Sequence, residues 1–155
     1  MSNPIVYPTR ALDVIPSDDV NIPYPNMVLT GTADATGSFF LIDSTTDFIA
    51  QGIKVGDTIL NESTGKWVKV TSVPSVGGRL GISSNDFGSG DNYLIYQGEN
   101  AGCLLYVGDT GDLEILTAGN NQILIQSVTG GTLIPIRVLR VLASNTTCSD
   151  IIALW

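Results

Sequence analysis

From Met27 to the end, apolar residues come in short runs, most of about five to eight, separated by clusters of Gly, Asn, Asp, Ser and Thr. MVLTG, SFFLID, DTILN, KWVKVTSV, RLGI and NYLIYQ fill the stretch to residue 97, with ADATG, STGK, PSVGG and FGSGDN between them. Runs of that length bounded by turn residues predict strands rather than helices. A second series, CLLYV, DLEILT, NQILIQSV, TLIPIRVLRVL and DIIALW, follows from residue 103, again at the spacing of a sandwich or barrel. AGNN, at 118–121, predicts a hairpin turn because Gly and Asn tolerate positive φ. Pro135 inside TLIPIRVLRVL predicts a bulge, an edge or a strand start, since it has no N–H for a ladder. Only Ser44–Gln51 has the character of a helical turn, with Ser, Thr and Asp to start it and Gly52 to stop it.

The first 26 residues follow neither pattern. Five of the seven prolines (Pro4, Pro8, Pro16, Pro23, Pro25) fall here, while all 17 glycines come after residue 30. Proline removes a backbone donor and pushes its predecessor toward extended geometry, so the segment predicts an extended arm. Its apolar residues, among them Ile5, Tyr7, Leu12, Ile15, Ile22 and Tyr24, predict that it lies along a surface, its own or a neighbour's. The fold class expected is all-β: two small sandwich-like or barrel-like modules with an extended N-terminal arm.

Charge narrows the function. Seven basic residues against 15 acidic ones give a net charge of −8, and there is no histidine. Such a chain neutralises few phosphates, which argues against nucleic acid and anionic lipid as partners. Lacking imidazole, it has no Ser-His or Cys-His nucleophile and no His-ligated zinc. Charged residues make up 14%, against ~25% in an average domain, which predicts a neutral polar surface suited to packing against other subunits. No apolar run reaches the ~20 residues of a membrane span, and MSNPIVYPTR has no leader pattern, so synthesis in the cytosol is expected. Cys103 and Cys148, 45 residues apart, are expected to be buried thiols.

The candidate chemistry is thin. Asp109, Asp112 and Glu114 in VGDTGDLEI have the residue types of a calcium site or acid–base pair, but GDTGD also has the makings of a tight turn and lacks an EF-hand pattern. No cofactor and no metal are expected. Arg137 and Arg140, two of only three arginines outside 27–98, stand three apart on a predicted strand and so face opposite sides, one toward a carboxylate of the chain and one toward a partner.

AGCLLYVGDTGDLEIL followed by NNQILIQSVTGGTLIPIRVLRVLASNTTCSDIIALW resembles the C-terminal part of small virion proteins of tailed bacteriophages and gene transfer particles, of the head-spike-base or capsid-decoration type. The specific elements are Gly130, Gly131, Thr132, Leu133, Pro135, Ile136, Val138, Arg140 and Val141, then Ala143, Thr146, Thr147, Asp150, Ile151, Ala153, Leu154 and Trp155. In short relatives a segment like VIPSDDVNIPYP leads almost directly into one like GCLLYVG. The resemblance therefore implies one discontinuous domain, 1–26 with 99–155, interrupted by an inserted module at 27–98. Within that insert, DFIAQGIKVGDTILN followed by WVKVTSV is similar to a small barrel-like module of phage structural proteins.

The function implied is that of a non-enzymatic virion protein, made in the bacterial cytoplasm and bound to the outer capsid surface as a homo-oligomer. A trimer is the first expectation and a pentamer the second, with the major capsid protein or another virion protein as partner. A tail, collar or baseplate component and a host-glycan-binding fibre module are the alternatives. The partner-facing residues expected are Ile5, Tyr7, Leu12, Ile15, Ile22, Tyr24, Arg137, Arg140 and Trp155. Trp155 in the closing DIIALW is expected to matter more for stability than Trp67 in the insert.

Overall fold

A computed structural model describes residues 7–155. The chain is all-β, with two antiparallel sheets. Its strands in chain order are β1 (Ala11–Asp13), β2 (Met27–Thr32), β3 (Ala35–Gly37), β4 (Phe40–Ile42), β5 (Thr58–Asn61), β6 (Lys66–Ser72), β7 (Arg79–Ile82), β8 (Asn92–Tyr96), β9 (Cys103–Val107), β10 (Gly111–Thr117), β11 (Gln122–Val128), β12 (Thr132–Val141) and β13 (Ile151–Leu154). Two compact units result: Asn26–Glu99, and the described residues up to Pro25 together with Asn100–Trp155. Asn26, whose carbonyl accepts the Gln97 N–H at 3.0 Å, and Glu99 both go with the insert, each one residue outside the expected 27–98 block.

In the discontinuous unit the strand order is β1-β13-β9-β12-β10-β11. Alternate residues, including Leu105, Val107, Leu113, Ile115, Val138 and Ala153, are buried in one core, as period-two patterning requires. β12 pairs with β9 through its first half and with β10 through its second. Its register with β9 jumps between Ile134 and Val138, and Pro135 sits inside that bulge, where a missing N–H breaks no ladder bond. At the β10–β11 hairpin Asn120 takes φ +62° and Thr117 N–H reaches the Asn121 carbonyl at 2.9 Å, the turn AGNN predicts. Gly111 is needed where the chain doubles back: a Cβ there would lie 2.5 Å from the Cys148 nitrogen.

The N-terminal segment is bound into this unit. β1 pairs with β13, placing Leu12 opposite Ala153. Beyond β1, the N–H groups of Val14, Ser17 and Ile22 donate to Ile151, Val141 and Leu139, each at 2.9 Å. Pro16 falls between the Val14 and Ser17 donors and Pro23 directly after the Ile22 donor, so extended geometry is kept without losing these bonds.

The inserted unit has the order β2-β8-β5-β6-β7-β4-β3. Its two outermost strands are consecutive in the chain, joined only through Ala33 and Asp34, so the sheet curls until its ends approach. Leu41, Phe48, Ile59, Val68, Val70, Leu80, Tyr93 and Ile95 are among the residues that fill the interior. ADATG, expected as a turn, carries the three-residue β3, too short to leave an alternating pattern. The expected helical turn is a single turn: the Asp47 carboxylate caps the N–H groups of Ile49 and Ala50, Gln51 N–H bonds Asp47 O, and Gly52 closes it at φ +74°.

Candidate partner interface

Most residues expected to face a partner are engaged inside the discontinuous unit. Ile22 is only 2% exposed and belongs to the core, so it is unavailable to another molecule. Leu12 and Trp155 pack against that core half-buried. The Tyr24 and Trp155 rings meet edge to face at 5.9 Å, the Arg10 guanidinium lies 5.4 Å from the Tyr24 centroid, and the Trp155 indole donates to Asn100 Oδ1 at 3.2 Å. This cluster closes the unit where the chain leaves at Pro25 and returns at Asn100, with Arg10 also donating to the Pro25 carbonyl. Ile15 is half-buried, Tyr7 is 72% exposed, and Ile5 lies outside the described residues.

The two arginines differ, and the one held inside the chain takes an amide oxygen and a main-chain carbonyl in place of the carboxylate expected. Arg140 is half-buried and donates to Asn21 Oδ1 at 2.9 Å and to the Asp18 carbonyl, tying β12 to the N-terminal segment. The Asp18 carboxylate accepts the Ser144 hydroxyl at 2.6 Å and the Ser144 N–H at 3.1 Å, and these bonds hold its pKa below the ordinary value. Arg140 is thus a brace within the unit, whereas Arg137 is exposed.

The carboxylates of VGDTGDLEI are each engaged separately. Asp109 accepts Ser149 Oγ at 2.8 Å, Asp112 accepts the Ser127 N–H at 2.8 Å, and the buried Glu114 accepts Gln122 Nε2 and Asn145 Nδ2 at 2.9 and 2.8 Å. Among the described residues no three acidic or cysteine side chains gather around one point. Cys103 and Cys148 are free and buried; burial pushes the Cys103 thiol up to about 11 and the Cys148 thiol upward as well, so both are protonated at neutral pH.

The surface left outward is apolar and lies on strands. Leu133 of β12, 50% exposed, is the cross-strand partner of Tyr106 on β9, and Ile152 of β13 flanks Tyr106 on its other side. Ile136, next to the bulge, is exposed as well. On β11, Ile123 and Leu124 are both exposed although they point to opposite faces. Sequence reasoning passes over these residues because a run such as QILIQ reads as a buried strand. Only the topology reveals that β11 ends the sheet. Comparison of the chain with family models, with curated proteins and with solved structures finds no match in any of the three.

Proposed function

We propose that the chain is a non-enzymatic structural protein of a tailed-bacteriophage virion, a capsid decoration (cement) or head-spike-base protein that binds the outer capsid surface as a homo-oligomer. The observation that carries this reading is the row Ile152–Tyr106–Leu133 with Ile136 beside it, an apolar strand surface facing outward in the same segment, 103–155, that bears the resemblance. Exposed large apolar residues side by side on a sheet mark a surface meant to be covered, while scattered ones are ordinary. The engagement of Asp109, Asp112 and Glu114 in holding loops together is in keeping with a structural rather than catalytic part.

The reading is tested on particles from cells that produce the chain. Antibody raised against the purified protein should label the capsid exterior in electron micrographs, and Leu133→Lys should lower the amount that rebinds to stripped capsids by tenfold or so, about 1.4 kcal/mol. Absence of the chain from purified particles would sink the reading, and label confined to the tail would favour a tail or baseplate component.

A further inference from the structure

β11 forms one end of the six-stranded sheet, and among the described residues no main-chain group pairs with its outer side. Which of its residues present free N–H and C=O groups follows from β10. There Glu114 donates its N–H to Thr146 Oγ1 at 3.0 Å and accepts Leu142 N–H at 2.9 Å, while Asp112 donates to Thr147 Oγ1 and accepts Thr147 N–H, both at 2.9 Å. Even-numbered residues of β10 therefore direct their main chain away from β11. Glu114 lies opposite Leu124, and residues opposite one another in an antiparallel ladder point their main chains both inward or both outward. The N–H and C=O of Leu124 consequently point into the open edge.

Around Leu124 the sequence is a palindrome: Gln122, Ile123, Leu124, Ile125, Gln126. A two-fold axis at Leu124 would set an antiparallel copy with Leu124 opposite its own counterpart, Ile123 opposite Ile125, and Gln122 opposite Gln126. An isologous contact requires this self-complementarity, because each residue must suit its symmetry mate. Charge permits it too. In a chain of net charge −8, no charged residue occurs from Ile115 to Ile136, so the two edges approach without bringing like charges together. Ile123, 40% exposed, would be covered by Ile125 of the second copy, and the half-buried Ile125 already packs against the core.

We propose that β11 is a dimerisation edge, on which a second copy of this chain pairs antiparallel about Leu124 to make one continuous sheet of six strands from each copy. Closure by this contact gives a dimer, in place of the trimer or pentamer expected from the sequence. Natural edge strands are usually blunted by Lys, Pro or a covering loop, and QILIQ has none of these on the open side. The inference stands apart from the virion reading: a dimer that never enters a particle would sink that reading and leave this one intact.

The test uses the full chain. A Leu124→Cys variant would place the two thiols on the axis, with Cα atoms about 5.5 Å apart, inside the ~4.4–6.8 Å that a disulfide bridges. Mild oxidation should give a covalent dimer on non-reducing gels. Ile123→Cys, whose own copy lies a diagonal away, should not, and neither should the wild type, whose thiols are buried. Leu124→Pro removes the outward donor without touching the β10 ladder, and should convert the dimer to monomer in sedimentation velocity at micromolar concentration with unchanged circular dichroism. Leu133→Lys should remain dimeric. A monomeric wild type, a trimer or pentamer that fails to cross-link at position 124, or a Leu124→Pro variant still fully dimeric would each overturn the proposal.

Discussion

The two units of the chain deal with their boundaries in opposite ways. In the inserted unit the outermost strands are neighbours in sequence, and of its exposed large apolar residues Phe39, Ile49, Val55 and Val76 are scattered over loops while Met27 and Val28 lie on the end strand β2. In the discontinuous unit the sheet stops at an uncharged strand, and Tyr106, Ile123, Leu124, Leu133 and Ile136 are exposed on strands, Tyr106 and Leu133 as direct partners. Similar composition thus yields one module whose exposed large apolar residues fall mostly on loops and another whose exposed large apolar residues fall mostly on strands.

Their interiors differ as well. The insert buries a polar node: Asp43, 3% exposed, accepts the Tyr93 hydroxyl at 2.7 Å, the Thr45 hydroxyl at 2.6 Å and the Thr46 hydroxyl at 2.9 Å. Gly31 makes room for it, since a side chain there would collide with the Tyr93 ring. A second node centres on Asn61, fully buried, whose amide donates to the Asp86 carbonyl and to Asp91 Oδ2. The discontinuous core holds apolar side chains and two thiols, with Glu114 and Thr117 as its buried polar residues.

Each unit has one tryptophan, so where both are kept each unit can be followed by its own fluorescence, and a unit that loses its tryptophan is followed by circular dichroism. The largest effect expected is from Trp67→Ala, because Trp67 is buried and meets Tyr96 edge to face at 5.6 Å. A loss of about 3–5 kcal/mol is expected for the insert in urea denaturation. Trp155→Ala should cost less, since that ring is half-buried, and should act on the discontinuous unit. Equal effects, or a Trp67→Ala variant in which the Trp155 signal shifts by the same amount, would show that the units do not unfold separately.

That ordering reverses the one expected from sequence, and the reason is physical. The closing DIIALW is apolar and reads as core, but Trp155 lies one residue past the end of β13 and caps the unit beside Tyr24 instead of entering it. The longer strands were legible because runs such as DTILN and DLEILT alternate or are bounded by turn residues; β1 and β3, three residues each, were not. Buried Asp43 was equally hidden. What seals it is Tyr93, 50 positions away, and no local pattern connects the two. Of the residues expected to face a partner, Tyr7 and Arg137 are exposed, while Ile22 is core and Arg140 is a brace, which no local pattern could show because both depend on β12 lying alongside the N-terminal segment.

A smaller difference should separate the two buried acids. Asp43→Ala leaves the wholly buried Tyr93 hydroxyl without its carboxylate acceptor, and is expected to destabilise the insert by about 3 kcal/mol. Glu114→Ala frees Gln122 and Asn145, both exposed and able to turn to water, and should cost the discontinuous unit about 1 kcal/mol. Chemical denaturation read at Trp67 for the first and Trp155 for the second measures both. A Glu114 variant as damaging as the Asp43 one would mean that the polar node is not what distinguishes the insert.

The smallest expected effect is a separation of the units by acid. Burial raises the Asp43 pKa, but the hydrogen bonds from Thr45, Tyr93 and Thr46 outweigh it and hold the carboxyl below its ordinary value of 3.8. Asp91 is also held below that value, by the Gly88 N–H first and then by the Asn61 amide. A carboxyl whose folded pKa is depressed binds protons less readily in the folded chain than in the unfolded one. Its stabilising contribution is complete above the unfolded pKa and disappears as pH falls from there through the folded value. In the discontinuous unit Asp18 is held below its ordinary value, but it is fully exposed, where water screens its interactions. Lowering the pH from 5 toward 2 should therefore shift the Trp67 transition to lower urea before the Trp155 transition moves, and Asp43→Asn should flatten the Trp67 response. Alkali should act first on the other unit: the Cys103 thiol, raised by burial to about 11, favours the folded state until pH climbs past the unfolded thiol value toward that number, whereas Tyr93 and Tyr96 of the insert, also raised by burial, respond only past the higher unfolded phenol value. A Trp155 transition that weakens first in acid would reverse the assignment of the sensitive carboxylates to the insert.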